Sequence, residues 1–277
     1  MKRSLLLCLV GLNLCVYSPA AVIDARVSGF NEAERRVLGS AIDFWQRSIA
    51  DPLTVEVSFT MLDLAGDVLG TSSDLVENSD ELPAEATVQI DNRAGAIFGW
   101  YVDATPQSNE EFLPGSSPSH LRGDPSKPSG QYYDLLTVFH HELAHVFGFS
   151  IDYDRFRSHI SLGDDGFLRS YVGDSVAAVI APEYDGTHLS DAVYPFDLMT
   201  AFQSRGQRLL PSDLDLTILS DAFGYTLNVD SAEPVPEPSF CLAVAVCLAG
   251  ILFQARRRPA PDMAPSRASS RPRLLER

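Results

Sequence analysis

Apolar and polar positions recur with two different periods through the middle of this chain. Val22 to Ser28 reads as a first strand. Val37, Leu38, Ala41, Ile42, Trp45 and Ile49 then fall at helical spacing, which predicts a packing helix opened at Phe30-Asn31 and ended by Asp51-Pro52. Asn31 suits the N-cap, and Glu32 and Glu34 suit the positive end of the helix dipole. Leu53 to Met61 alternates with β-branched and aromatic residues and predicts a strand, with Thr87 to Ile90 and Ile97 to Val102 as two shorter ones. Thr105 to Gly130 is rich in Pro, Ser and Gly and predicts a long surface loop. Loops of that kind often border an active site.

The next helix is predicted over Leu135 to Phe147, with Asp134 as its cap and Gly148 suited to the left-handed position that ends it. Ser150 to His188 is mixed and predicts short strands or turns. Pro211 to Phe223 predicts a last helix, capped by Ser212, with Leu214, Leu216, Ile218 and Leu219 on its apolar side. No internal repeat is visible. The order of elements predicts an α+β domain over residues 22–230.

The predicted helix at 135–147 carries His141-Glu142-Leu143-Ala144-His145. Residues four apart share one helix face, so two imidazoles there can converge on one Zn²⁺. Glu142 is offset by about 100° around the helix, which suits it to take a proton from a water at the metal rather than to bind the metal itself. Passing that proton to a leaving nitrogen would complete the hydrolysis of a peptide bond. His140 points to another side and reads as structural. A catalytic zinc usually has three protein ligands and an open position. Downstream donors are His188, which sits in the turn-rich Asp185-Gly186-Thr187-His188, and its rivals His159, Asp152 and Asp154.

Charge and cysteine content narrow the setting. The formal net charge is −16, and residues 22–240 hold 12 Lys/Arg against 35 Asp/Glu. That balance argues against nucleic-acid binding, which needs a basic face. The four cysteines, Cys8, Cys15, Cys241 and Cys247, all lie in the two terminal apolar runs. The middle therefore offers no thiolate ligand, no Cys nucleophile and no disulfide. Gly163-Asp164-Asp165-Gly166 reads as a solvated turn, because the full calcium-loop spacing is absent.

Both ends read as address labels. Met1-Lys2-Arg3, the apolar run Leu5 to Val16 and the small residues Ser18-Pro19-Ala20-Ala21 follow the layout of a secretory signal peptide, taken as residues 1–21. Near the other end stand Val235-Pro236-Glu237-Pro238, the mostly apolar Phe240 to Phe253 and Arg256-Arg257-Arg258. This order, within residues 231–258, resembles the PEP-CTERM sorting signal of Gram-negative bacteria. The resemblance implies recognition by an exosortase in the inner membrane and delivery to the cell envelope, outer surface or extracellular matrix. Its apolar run is a short transmembrane candidate. The Pro-, Ser- and Arg-rich residues 259–277 read as a disordered basic tail, longer than that family usually carries.

A second resemblance covers roughly Asp134 to Tyr225. The metzincin pattern H-E-x-x-H-x-x-G-x-x-H is matched through Gly148 and fails at its last position, which is Ile151. With His188 followed by Phe196-Asp197-Leu198-Met199-Thr200, the chain resembles metzincins whose third histidine is displaced by an insertion, the leishmanolysin-like group. The resemblance implies a zincin-like fold: a twisted sheet carrying the active-site helix, and a mainly helical C-terminal subdomain. It implies His141, His145 and His188 as zinc ligands, Glu142 as catalytic base, Gly148 as the helix-ending turn and Met199 as the Met-turn residue beneath the metal. The tyrosine that some metzincins place two residues after that Met is here Ala201, and Tyr194 is the remaining candidate for its role. The function implied is a zinc-dependent endopeptidase acting on peptides or proteins. The alternatives are an envelope or matrix protein with a non-catalytic zinc site, and a metal-dependent hydrolase of a non-peptide bond.

Overall fold

The computed structural model describes residues 20–94, 99–162, 169–181 and 186–228. The sheet nearest the N-terminus is built from β1 (Val22–Ser28), β2 (Thr54–Leu62), β3 (Gly70–Glu77) and β4 (Pro83–Asp91). Their order is β1-β2-β4-β3, with β1, β2 and β4 parallel and β3 antiparallel at the edge. Helix α1 (Glu32–Ser48) makes the crossover between β1 and β2. Its start is the expected one: Asn31 accepts from the Glu34 N–H at 3.0 Å, and the Glu34 carboxylate accepts from the Asn31 N–H at 2.8 Å.

Helix α2 (Leu135–Val146) packs against α1 and against β3 and β4, while α1 also meets β1. Phe139 meets Phe30, and Phe147, just past the helix, stacks on Trp45 with ring centres 5.5 Å apart. Every α2 side chain except that of His141 is buried. A helix enclosed on all sides is a rigid carrier for whatever side chains it points into a cleft.

Two expectations need correction. The long surface loop at Thr105 to Gly130 instead holds a hairpin, β6 (Phe112–Ser117) with β7 (His120–Gly123), followed by a single 3₁₀ turn. Its Pro, Ser and Gly content conceals the strands because small residues are needed for close packing. A Cβ on Gly115 would stand 2.3 Å from the His120 carbonyl oxygen, and one on Gly123 would stand 2.0 Å from that of Ser129. The region after α2 is mixed rather than mainly helical. It holds α3 (Asp154–Ser158), the antiparallel strands β9 (Ile160–Leu162), β10 (Arg169–Val172) and β11 (Ala177–Ile180), then β12 (Gln207–Leu209) and α4 (Asp213–Phe223). β12 joins the hairpin through β7, so the end of the domain is sewn back onto its middle. The strand expected over Ile97 to Val102 begins outside the described residues; within them it is β5 (Trp100–Tyr101), which pairs with β8 (Tyr133–Asp134) at the start of α2. β3 was not foreseen at all.

Among the described residues no helix is long and apolar enough to cross a membrane. The signal-peptide run up to residue 19, the sorting signal, the basic tail, all four cysteines and the Gly163–Gly166 turn lie outside the described residues.

Candidate metal centre

Helix periodicity sets His141 and His145 one turn apart on α2, and the chain returns with His188 from 47 residues beyond His141. The Nε2 atoms of His141 and His145 are 3.1 Å apart, and those of His141 and His188 are 3.3 Å apart. One ring nitrogen from each of the three lies within 4.8 Å of the others. Three histidines brought together in this way could hold a metal ion.

The outward nitrogens decide what the inner ones can do. His141 Nδ1 is 2.8 Å from the Leu198 carbonyl oxygen, and His145 Nδ1 is 2.6 Å from that of Phe149. A carbonyl only accepts, so both Nδ1 atoms carry the proton and donate. Each Nε2 is then a bare lone pair, and the short Nε2–Nε2 approach cannot be a hydrogen bond. His188 Nδ1 lies 3.0 Å from the Thr187 hydroxyl, which can donate or accept. Lone pairs this close repel unless a cation lies between them. Tetrahedral bonds of about 2.0–2.1 Å to one Zn²⁺ would put two ligand nitrogens about 3.3–3.4 Å apart, close to the spacing observed. Burial holds all three imidazoles below the usual histidine range, and the mutual proximity of the rings adds to this for His145 and His188. The neutral form is the one that ligates.

The anchoring carbonyls come from two turns. Gly148, at φ +120°, lets the chain double back after α2 so that Phe149 reaches His145. A Cβ there would also stand 2.2 Å from the Phe223 ring of α4. The Leu198 turn is braced by Asp197, whose carboxylate accepts from the Met199 N–H at 3.0 Å and from the Ser212 hydroxyl at 2.8 Å. Burial, reinforced by neighbouring Asp197, pushes Asp215 well above the usual carboxyl range. Met199 itself is fully buried, and its carbonyl accepts from the Leu189 N–H at 2.8 Å, tying the turn to the residue after His188.

Glu142 is buried next to the trio and shares with it a cleft of about 810 Å³. One wall is the 67–72 segment, which leads into and begins β3. The other is the 198–203 segment after the turn. Ser72 donates to Glu142 Oε2 at 2.7 Å. Burial raises the Glu142 carboxyl to about 7, with the Ser72 hydrogen bond acting in the opposite direction.

The rival donors are not gathered into the trio. His159 bonds the Val172 carbonyl and stacks on Tyr171. Asp154 pairs with Arg157 at the surface. Asp152 lines the cleft but is engaged with Ser150. His140 lies edge-on to Phe44 in the core, and burial lowers it to about 3. Tyr194 is absent from the cleft lining, its hydroxyl being 3.4 Å from the Val179 N–H, whereas Ala201 does line it. No family model matches the chain, and no curated protein matches it.

Proposed function

We propose that the protein is a zinc-dependent endopeptidase, with His141, His145 and His188 as metal ligands and Glu142 as general base. The observation that carries this reading is the convergence of one ring nitrogen from each of three histidines beside a buried carboxylate in one cleft. An all-imidazole donor set suits Zn²⁺. When bound, the ion would supply a Lewis acid that polarises a carbonyl and acidifies water.

The remaining steps fall to the chain's own groups. A carboxyl near neutrality can both accept a proton from water and release it to the leaving amine, which is what Glu142 is asked to do. A peptide substrate is supported by β3. It is the edge strand, and among the described residues no strand pairs with its outer side. Its unpaired N–H and C=O groups border the cleft and suit an extended peptide added as a further strand. A non-catalytic metal site would have no use for a buried carboxylate at the cleft. The leishmanolysin-like resemblance, the Met-turn role of Met199, and export to the envelope or matrix through exosortase-type sorting belong to the same proposal and rest on sequence.

The test is cleavage of a peptide library by the purified protein with one equivalent of zinc. E142Q should keep its zinc and lose about 10²- to 10⁴-fold in turnover, the range for general acid–base catalysis. Full activity in E142Q would remove Glu142 from the mechanism.

A further inference from the structure

We infer that Ser72 is the positioning residue for Glu142, so that the strand bordering the cleft also aims the base. The consequence for turnover rests on the peptidase reading, whereas the positioning itself does not.

Side chains two apart on a strand share a face, so Gly70 and Ser72 look the same way from β3. Both meet Glu142. The Ser72 hydroxyl lies 2.7 Å from Glu142 Oε2 and 3.1 Å from the Glu142 main-chain oxygen. A Cβ added to Gly70 would stand 2.7 Å from Glu142 Oε1 and 2.9 Å from Val138 Cγ1. One carboxylate oxygen is therefore bonded and the other is admitted only because residue 70 has no side chain.

This division of the two oxygens has a chemical consequence. Among the described residues Ser72 is the only side chain that hydrogen-bonds the Glu142 carboxylate. A glutamate has three rotatable side-chain bonds, and burial alone does not select one rotamer. Ser72 occupies Oε2 and leaves Oε1, next to cleft-lining Gly70, as the proton acceptor. A hydroxyl is suited to this because it donates without bringing a charge that would hold the proton away from the base. A peptide adding to β3 would bear on the strand that holds the base in place. Nothing in the residue pattern around Ser72 marks it: Gly70-Thr71-Ser72-Ser73 reads as turn material.

The experiment compares the purified, zinc-loaded full chain as wild type, S72A, S72T and G70A on a peptide that the wild type cleaves. kcat and KM are measured separately, together with zinc content and melting temperature. S72A should lose roughly ten- to a hundredfold in kcat, the worth of one hydrogen bond to a charged group. KM and zinc content should stay within about twofold, since ground-state binding is untouched. S72T keeps the hydroxyl and should recover most of the rate. G70A, which crowds Oε1, should fall with S72A. Unchanged kcat in S72A overturns the inference, and so does a loss that runs in step with lost zinc or lowered melting, which would make Ser72 mere packing. If the wild type cleaves no peptide, the peptidase reading fails. Crystal structures of wild type and S72A then decide the positioning: a Glu142 side chain displaced in S72A supports it, and an identical rotamer in both overturns it.

Discussion

At the N-terminal end of α2 a buried charge is surrounded by matched partners; further along the same helix, buried ring nitrogens are turned toward one another. Arg208 is fully buried and donates to Asp103 at 2.7 Å and to both oxygens of Asp134 at 2.9 and 3.0 Å. Its remaining nitrogen donates to the Ser108 carbonyl and Asn109, and Phe112 covers its face at 4.2 Å. Burial works against the charge, but Asp134 and Asp103 outweigh it and raise the guanidinium pKa. Asp134 meanwhile caps α2 through Thr137. The histidine trio has main-chain carbonyls behind His141 and His145, and on its inner side one ring nitrogen from each histidine lies within 4.8 Å of the others. A network whose donors and acceptors are all matched is a structural fastening. One whose ring nitrogens converge on a common point could hold a cation.

That contrast can be broken first at the fastening. R208M strands Asp103 and Asp134 in the interior without a partner, and the expected cost is about 3–5 kcal/mol of folding stability by urea denaturation. Zinc affinity of the folded fraction should be unchanged. Adding D103L and D134N to R208M should recover much of the stability, because the buried charges leave together. A single R208M variant that is as stable as wild type would show that the triad holds nothing.

A smaller effect sharpens the other side. His140, His141, His145 and His188 are held below their ordinary range, by burial first, so the folded protein keeps them neutral where the unfolded chain would protonate them. The stability this gives is present above pH 6.5 and is lost as pH falls through it toward the folded-state values. For His140 alone, lowered to about 3, the loss between pH 7 and pH 5 is roughly 2 kcal/mol. The raised carboxyls of Glu142 and Asp215 act in the opposite direction, so the His140 share is read by comparing wild type with H140F. Urea midpoints of the metal-free wild type should drop more over that interval than those of H140F, and equal profiles would mean that His140 is not buried neutral.

The legibility of the two regions differs for a physical reason. His141, Glu142 and His145 could be read because helical spacing is a local rule, and α1, α2 and α4 followed from their periods and caps. The joining of His188 to the pair came from a resemblance, not from spacing. Leu198 and Phe149 act through main-chain carbonyls, which any residue type would supply, so no sequence signal marks them. Arg208 meets Asp134 and Asp103 across 74 and 105 residues, a distance over which a sequence carries no rule for pairing charges. β3 went unread because Gly70 to Asp74 lacks apolar alternation. Its small polar residues face the base and the cleft instead of a core, and a functional edge need not look like a strand.

On the proposed reading, His188 completes a metal site with His141 and His145. Zinc titration of the purified protein with X-ray absorption at the zinc edge tests it most directly. One tightly held ion with three nitrogen neighbours at about 2.0–2.1 Å is expected, with a loss of both affinity and one nitrogen neighbour in H188A. An ion bound equally well by H188A, or no ion bound by the wild type, would contradict it.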